Sequence, residues 1–176
     1  MGEKMNAIFA VIPIFLIRYG LLGLVNKNAL KRAALFTPVI GKEKMAFLVY
    51  QITTILILVY LFFLKIDFAA RWFYAGIALY SLGIVLYAIS TINYAKPDMT
   101  GMNLTGVFKK SRNPMYVAYF IIFLGCAVLT ESWILFGLLI VFQISAHWII
   151  LSEERWCMQQ FGEEYRRYMN NVRRYI

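Results

Sequence analysis

The chain has 176 residues, of which 61% are hydrophobic and only 15% charged, with a net charge of +9. A soluble domain is nearer half apolar, so the composition is that of an integral membrane protein, long enough for a single domain over residues 1–176. The positive charge does not point to nucleic acid, because the basic residues gather between apolar spans, where they set topology and meet anionic membrane lipids.

In chain order, the first apolar stretch covers residues 5–25 and is interrupted by Arg18. It has no small-residue cleavage site and is expected to stay as an anchor. Arg18 lies in the half of that span nearer the basic loop and is expected to snorkel to the interface. Spans at 45–64 and 72–92 are uncharged. The loop 93–114 follows, with Pro97, Gly101, Gly106 and Pro114. Loops of this length are functional or disordered, and the apolar residues between Met99 and Val107 predict an ordered loop facing a cofactor. Asn113 and Pro114 open the next helix as N-cap and first helical residue. That fourth span, 115–130, rises only ~24 Å, short of a hydrocarbon core of roughly 30 Å. Its start is therefore expected below the membrane surface, with the Arg112-Asn113-Pro114 loop lining a cavity. The tight Glu131–Ser132 turn joins it to a fifth span, 133–152, as an antiparallel hairpin. In the tail, Met158, Phe161, Tyr165, Tyr168, Val172 and Tyr175 recur at spacings of three and four, which predicts an amphipathic helix. It either lies on the headgroups or closes a pocket. The expected fold is all-α: five transmembrane helices with a C-terminal hairpin and an amphipathic cytoplasmic tail.

Lys and Arg give the orientation. Fourteen of the eighteen fall in segments 26–44, 93–114 and 153–176, against three on the opposite side. The positive-inside rule places the N-terminus outside and the long loops and C-terminus in the cytoplasm. Cys126 and Cys157 have neither metal-ligand nor disulfide spacing, and no metal is expected.

On a helix at 100° per residue, Gln143, His147, Ile150 and Glu154 share one face of the fifth span. A polar stripe on an apolar helix faces protein or water, which makes Gln143 and His147 candidate substrate contacts. A hydrogen bond to a neighbouring helix is the plainer role for His147. Glu153 and Glu154 repel each other and the negative helix terminus, so something positive should face them. Lys109, Lys110, Arg112, Arg155 and Arg173 are candidates within the chain. A bound sulfonium or amine is another, and a ribose diol would also suit a carboxylate. Arg112 lies where a helix N-terminus already favours anions. The residues thus describe an anion site at the start of the fourth helix, a cation or diol site at the end of the fifth, and a membrane cavity between them.

The stretch GVFKKSRNPMY, a hydrophobic hairpin, then SEERWCMQQFGEEYRRYMNNVRRYI resembles the isoprenylcysteine carboxyl methyltransferase and phospholipid methyltransferase superfamily over roughly residues 106–174. The resemblance implies an integral membrane methyltransferase using S-adenosylmethionine. Arg112, Pro114 and Tyr116 match the first motif, Glu153 and Glu154 the acid pair, and Phe161, Gly162, Tyr165 and Tyr168 the tail. The family His is Asn113 here, its Tyr is Phe108 and its second Gly is Ala118. Carried over residue by residue, the cofactor set is Arg112, Asn113, Pro114, Tyr116, Glu153, Glu154, Phe161, Tyr165 and Tyr168, with Glu154 and Arg173 as catalytic candidates. The implied partner is a lipidic or prenylated substrate. Its acceptor is an isoprenylcysteine-type carboxylate or, alternatively, a phospholipid amine. Two other classes stay open: an NADPH-dependent sterol or isoprenoid reductase, and a non-enzymatic lipid-binding membrane protein.

Overall fold

The computed structural model describes residues 3–33 and 37–176. A short strand β1 (Lys4–Asn6) leads into α1 (Ala7–Val25), which starts as a 3₁₀ turn and contains a π-helical stretch at Leu16–Leu21. Next come α2 (Lys27–Ala33), α3 (Glu43–Phe63), strand β2 (Lys65–Asp67) and α4 (Phe73–Tyr94). A 3₁₀ turn at Gly106–Lys109 precedes α5 (Pro114–Leu129) and the long α6 (Trp133–Asn171).

Four of these helices, α1, α3, α4 and α6, are long and apolar enough to cross a membrane, and α5 is a shorter apolar helix. The expected spans thus recur within two residues at every boundary except one: α6 does not stop near residue 152 but runs on to Asn171. The reason is that the segment after Ser152 keeps helical spacing of apolar residues and has no stop signal before Gly162. Gly162 adopts φ 53° and ψ −128°, a conformation open to glycine because it lacks a Cβ. The axis breaks there.

α4 and α5 pack most closely. A Cβ on Gly83 would lie 2.7 Å from the Ile122 backbone nitrogen, and one on Gly125 would lie 2.6 Å from that of Tyr80. Small residues let helix backbones approach this way where no hydrophobic force drives association. α6 packs chiefly along α3, with Phe142 stacked on Tyr50 at 5.0 Å. The two arms of the α5–α6 hairpin touch each other less than either touches its outer neighbour. The turn itself is as expected: Glu131 takes φ 49° and Ser132 caps α6 by accepting from Leu135 N at 3.2 Å. Many large apolar side chains are exposed, among them Leu24, Phe63, Tyr74 and Trp133. On a membrane protein these face lipid, and the Trp and Tyr among them suit the interface.

Two features outside the all-α expectation tie down the first helix. β1 and β2 form an antiparallel pair, Met5 opposite Ile66, joined at its edge by the Lys4–Asp67 ion pair. At the other end Asn26 accepts from Asn28 N and Ala29 N and donates to Ala95 O. It therefore caps α2 and pins it to the end of α4.

The basic segments gather at one end of the bundle. Arg155 pairs with Glu43 and donates to Pro38 O at 2.9 Å, while Thr37 and Ser152 share a hydroxyl bond at 3.0 Å. Arg155 is thus taken by the first residue of α3 and the segment before it rather than by its acidic neighbours.

Candidate active site

The loop 95–113 is ordered by its own polar residues. Asp98 accepts from Thr100 N at 2.9 Å and Met102 N at 3.2 Å, and its own amide donates to Met102 O. The Thr100 hydroxyl holds the Asp98 carboxyl below the usual carboxylate range. Gly106 has φ 60°, and a Cβ there would overlap the Asn93 amide, which accepts from Val107 N at 3.0 Å. The loop is thereby fastened to the end of α4.

The loop docks on the tail. Tyr168 donates to Phe108 O at 2.6 Å, and Arg112 Nη1 to Met169 O at 2.9 Å. Tyr165 is buried and its ring lies 5.8 Å from that of Tyr168. Phe161 lies beside Gly101 and makes an edge contact with Trp156 at 6.4 Å. The aromatic face of the tail therefore packs against the loop.

Beyond Asn171 the chain leaves the helix, with Val172 at φ −126° and ψ 131°. Val172 and Tyr175 thus fall outside the single amphipathic helix that their spacing predicted. Arg112 Nη1 takes Met169 O, the carbonyl that Arg173 N would use to continue the helix, and the loop then holds the extended end. Arg112 N donates to Arg173 O at 2.9 Å, and Asn113 Nδ2 donates to Arg174 O at 3.1 Å. The extended end is then latched by Tyr175, whose hydroxyl lies 2.7 Å from His147 Nδ1. Partial burial pushes that hydroxyl up from its ordinary pKa. Asn113 stands before α5 as foreseen, but its side chain does not cap the helix. Its amide is spent on the tail, and its own carbonyl accepts from Tyr116 N instead.

At the centre lies Glu154, 5% exposed. Arg112 Nη2 meets one carboxylate oxygen at 2.9 Å, and Arg174 Nη2 meets the other at 2.8 Å. The Arg174 guanidinium is pushed up by this carboxylate. The charge partner from the C-terminal pair is Arg174; Arg173 is exposed and reaches the site through its backbone. Sequence alone had no signal to choose between two adjacent arginines. Glu153, one residue earlier, faces elsewhere: it accepts from the Tyr116 hydroxyl at 2.9 Å and lies within electrostatic reach of Arg18, Tyr50 and Tyr94. The acid pair is therefore split. Glu154 is spent on two arginines, and Glu153 looks into the bundle.

Three buried polar atoms here have no hydrogen-bond partner among the described residues: Asn103 Oδ1 in the loop, Arg112 Nε beside the triad and Gln143 Oε1 on α6. Buried polar groups are nearly always bonded, to protein, water or ligand. Asn103 is a residue that motif reasoning passed over, and Arg18 is one it read as a snorkelling side chain. Pro114 is buried at the mouth of α5, and Tyr116 stands one turn on, opposite Glu153. Of the residues expected together, Arg112, Asn113, Glu154, Tyr165 and Tyr168 lie in one cluster with the tail, Tyr116 and Glu153 form a second pair turned into the bundle, and His147 is bonded to Tyr175.

Searches of curated proteins and of solved structures each return no match. The phospholipid methyltransferase family, however, matches residues 70–164, a stretch holding α4, the ordered loop, α5 and α6 past the acid pair. Since that match covers more than half of the chain, the protein belongs to the phospholipid methyltransferase family, membrane enzymes that transfer methyl groups to lipid-type acceptors.

Proposed function

We propose that the protein transfers a methyl group from S-adenosylmethionine to the polar head of a lipidic acceptor. The observation that carries this reading is the buried Glu154 between Arg112 and Arg174, which welds loop, hairpin and tail into one wall at the basic end of the bundle. The residues there fit the cofactor. Asn103 Oδ1 is an unpaired acceptor for an amino group, Arg112 Nε an unpaired donor for a carboxylate, and the Phe161 ring a surface for a purine. When bound, the cofactor supplies an activated methyl group on a sulfonium. The chain's own task is alignment, which accounts for much of the rate when reactants are held in line. The tail aromatics and Asn113 hold the loop down and exclude water. Arg112 keeps a positive charge at the mouth of α5 where an anion docks. We place the whole basic end, with the C-terminus, in the cytoplasm and the N-terminus outside, and take α5 as a fifth span.

An isoprenylcysteine-type carboxylate demands least of this site, because it is already a nucleophile. A phospholipid amine is the second reading, favoured by the family description. Glu153, with one oxygen on Tyr116 and the other free of any hydrogen bond among the described residues, would then take the amine proton. Arg173, exposed beside the site, and His147 and Gln143 on α6 are proposed contacts to the acceptor.

The test is calorimetric binding to detergent-purified protein of S-adenosylmethionine and its demethylated product, with NADPH as comparator. Binding of the sulfur ligands, weakened by Arg112→Ala, supports the reading. Binding of NADPH alone would replace it with a reductase, and silence from all three would leave a lipid-binding protein.

A further inference from the structure

Arg18 lies on α1, outside the residues matched by the family, and the reaction proposed above does not use it. Its guanidinium turns toward the basic segment that follows α1 and is fixed there by protein partners. Its Nη2 donates to Ala33 O at 2.6 Å, the last residue of α2, where the negative end of a helix favours a cation. The same guanidinium lies beside Tyr87 and Tyr119, whose hydroxyls bond each other at 2.7 Å across the α4–α5 contact. Tyr87 is completely buried. Three elements therefore hold one arginine in place inside an apolar span.

What Arg18 lacks is an anion. Among the described residues it forms no ion pair; Glu153 is within electrostatic reach but is held by Tyr116. An ionisable group within a span is costly and marks a functional site by default. It also sits in a π-helical stretch, and such irregular turns occur frequently at functional sites. A guanidinium offers five N–H donors in a planar fork. The carbonyl and the tyrosine oxygens do not exhaust them, and the fork matches phosphate and carboxylate alike.

We propose that Arg18 is the anchor for the anionic group of a membrane lipid acceptor, a phosphate or a carboxylate, held by the guanidinium beside the Tyr87–Tyr119 hydroxyls. The identity of that lipid as the methyl acceptor rests on the methyl-transfer reading; the anion site itself does not. For a phospholipid, a phosphate held there leaves the amine free to face the cofactor wall; for a prenylcysteine, the held carboxylate is itself the nucleophile, with one oxygen on Arg18 and the other taking the methyl group.

Native mass spectrometry of the detergent-purified full chain tests this without any turnover. The phosphate arm uses lysophosphatidic acid against monoacylglycerol. The carboxylate arm uses N-acetyl-S-farnesylcysteine against its methyl ester. The wild-type protein should prefer at least one anionic lipid over its uncharged counterpart by roughly tenfold, the scale of one charge-assisted contact. The arm showing the preference names the source of the anion. Arg18→Gln should erase that preference, and Arg18→Lys, which keeps charge but not the fork, should retain only part of it. No preference in either arm, or one that persists undiminished in Arg18→Gln, overturns the proposal. If Arg18→Gln does not fold, an unchanged preference in Arg18→Lys does so. A wild-type protein that prefers the anionic lipid yet transfers no methyl group would overturn the methyl-transfer reading alone.

Discussion

Arg112 and Glu154 face each other at 2.9 Å with their side chains only 8% and 6% exposed, one from the loop before α5 and the other from the middle of α6. Removing one member of a buried pair leaves an uncompensated charge at a cost of about 3–5 kcal/mol. Glu154→Gln strands two arginines, Arg112 and Arg174. It should lower the thermal transition of the purified protein markedly, and Arg174→Gln in the same background should recover part of the loss. A transition unmoved by Glu154→Gln would show that the triad does not hold the tail.

Glu153 separates structural from chemical use of the acid pair. Glu153→Gln keeps the hydrogen bond from Tyr116, so stability should change little. Transfer to an amine acceptor should fall by roughly 10²-fold or more, the scale of general-base catalysis, whereas transfer to a prenylcysteine carboxylate needs no base. Rates measured on both acceptors decide the matter, and an equal effect on the two would remove Glu153 as a proton acceptor.

The α4–α5 contact depends on missing side chains. Gly83→Val drives a side chain into the Ile122 backbone, an overpacking that costs typically 1–3 kcal/mol, about the upper figure where backbone must move. Gly137→Ala meets nothing within 4 Å and serves as the control. Detergent unfolding of both should show a loss for Gly83 only. Because Tyr87 and Tyr119 ride on the same two helices, anionic-lipid binding should weaken with it.

Asp98 carries the acid sensitivity of the loop. Its folded-state pKa is depressed, so its contribution is present above the unfolded value near 3.9 and is lost as pH falls through the lower folded value. Amide exchange at Thr100 and Met102, corrected for intrinsic rates, should rise on acidification, and Asp98→Asn should flatten that dependence. Protection unchanged by either would assign the loop's order to its docking on the tail.

The spans were legible because hydrocarbon thickness imposes length directly on sequence. The hairpin was legible because Glu131 and Ser132 leave no room for another connection. Local rules failed where a distant segment competed for the same group. Asn113 has the sequence of a cap, yet its amide serves the Arg174 carbonyl. Val172 and Tyr175 keep helical spacing, yet Met169 O, which a continuing helix needs for Arg173 N, is claimed by Arg112, and the loop pairs with the extended end instead. Arg18 read as an interfacial side chain because its partners come from α2, α4 and α5, and nothing near it in sequence announces them. The convergence of Arg112 with Glu154 was foreseeable from charge; the choice of Arg174 over Arg173 depends on which face an extended strand presents.

The placement of Arg18 also constrains how the chain enters a membrane. α1 is synthesised before the helices that partner it, carrying a charge whose insertion near mid-helix costs about 2.5–3.5 kcal/mol. Its hydroxyl neighbours on α4 and α5 emerge much later, and the strand that fastens its far end, Lys65–Asp67, comes only after α3. The nascent α1 must therefore wait, unfastened and undercompensated, beside the insertion machinery or α2 until α4 and α5 arrive. Assembly order, rather than final stability alone, then sets how much of this protein reaches the bilayer.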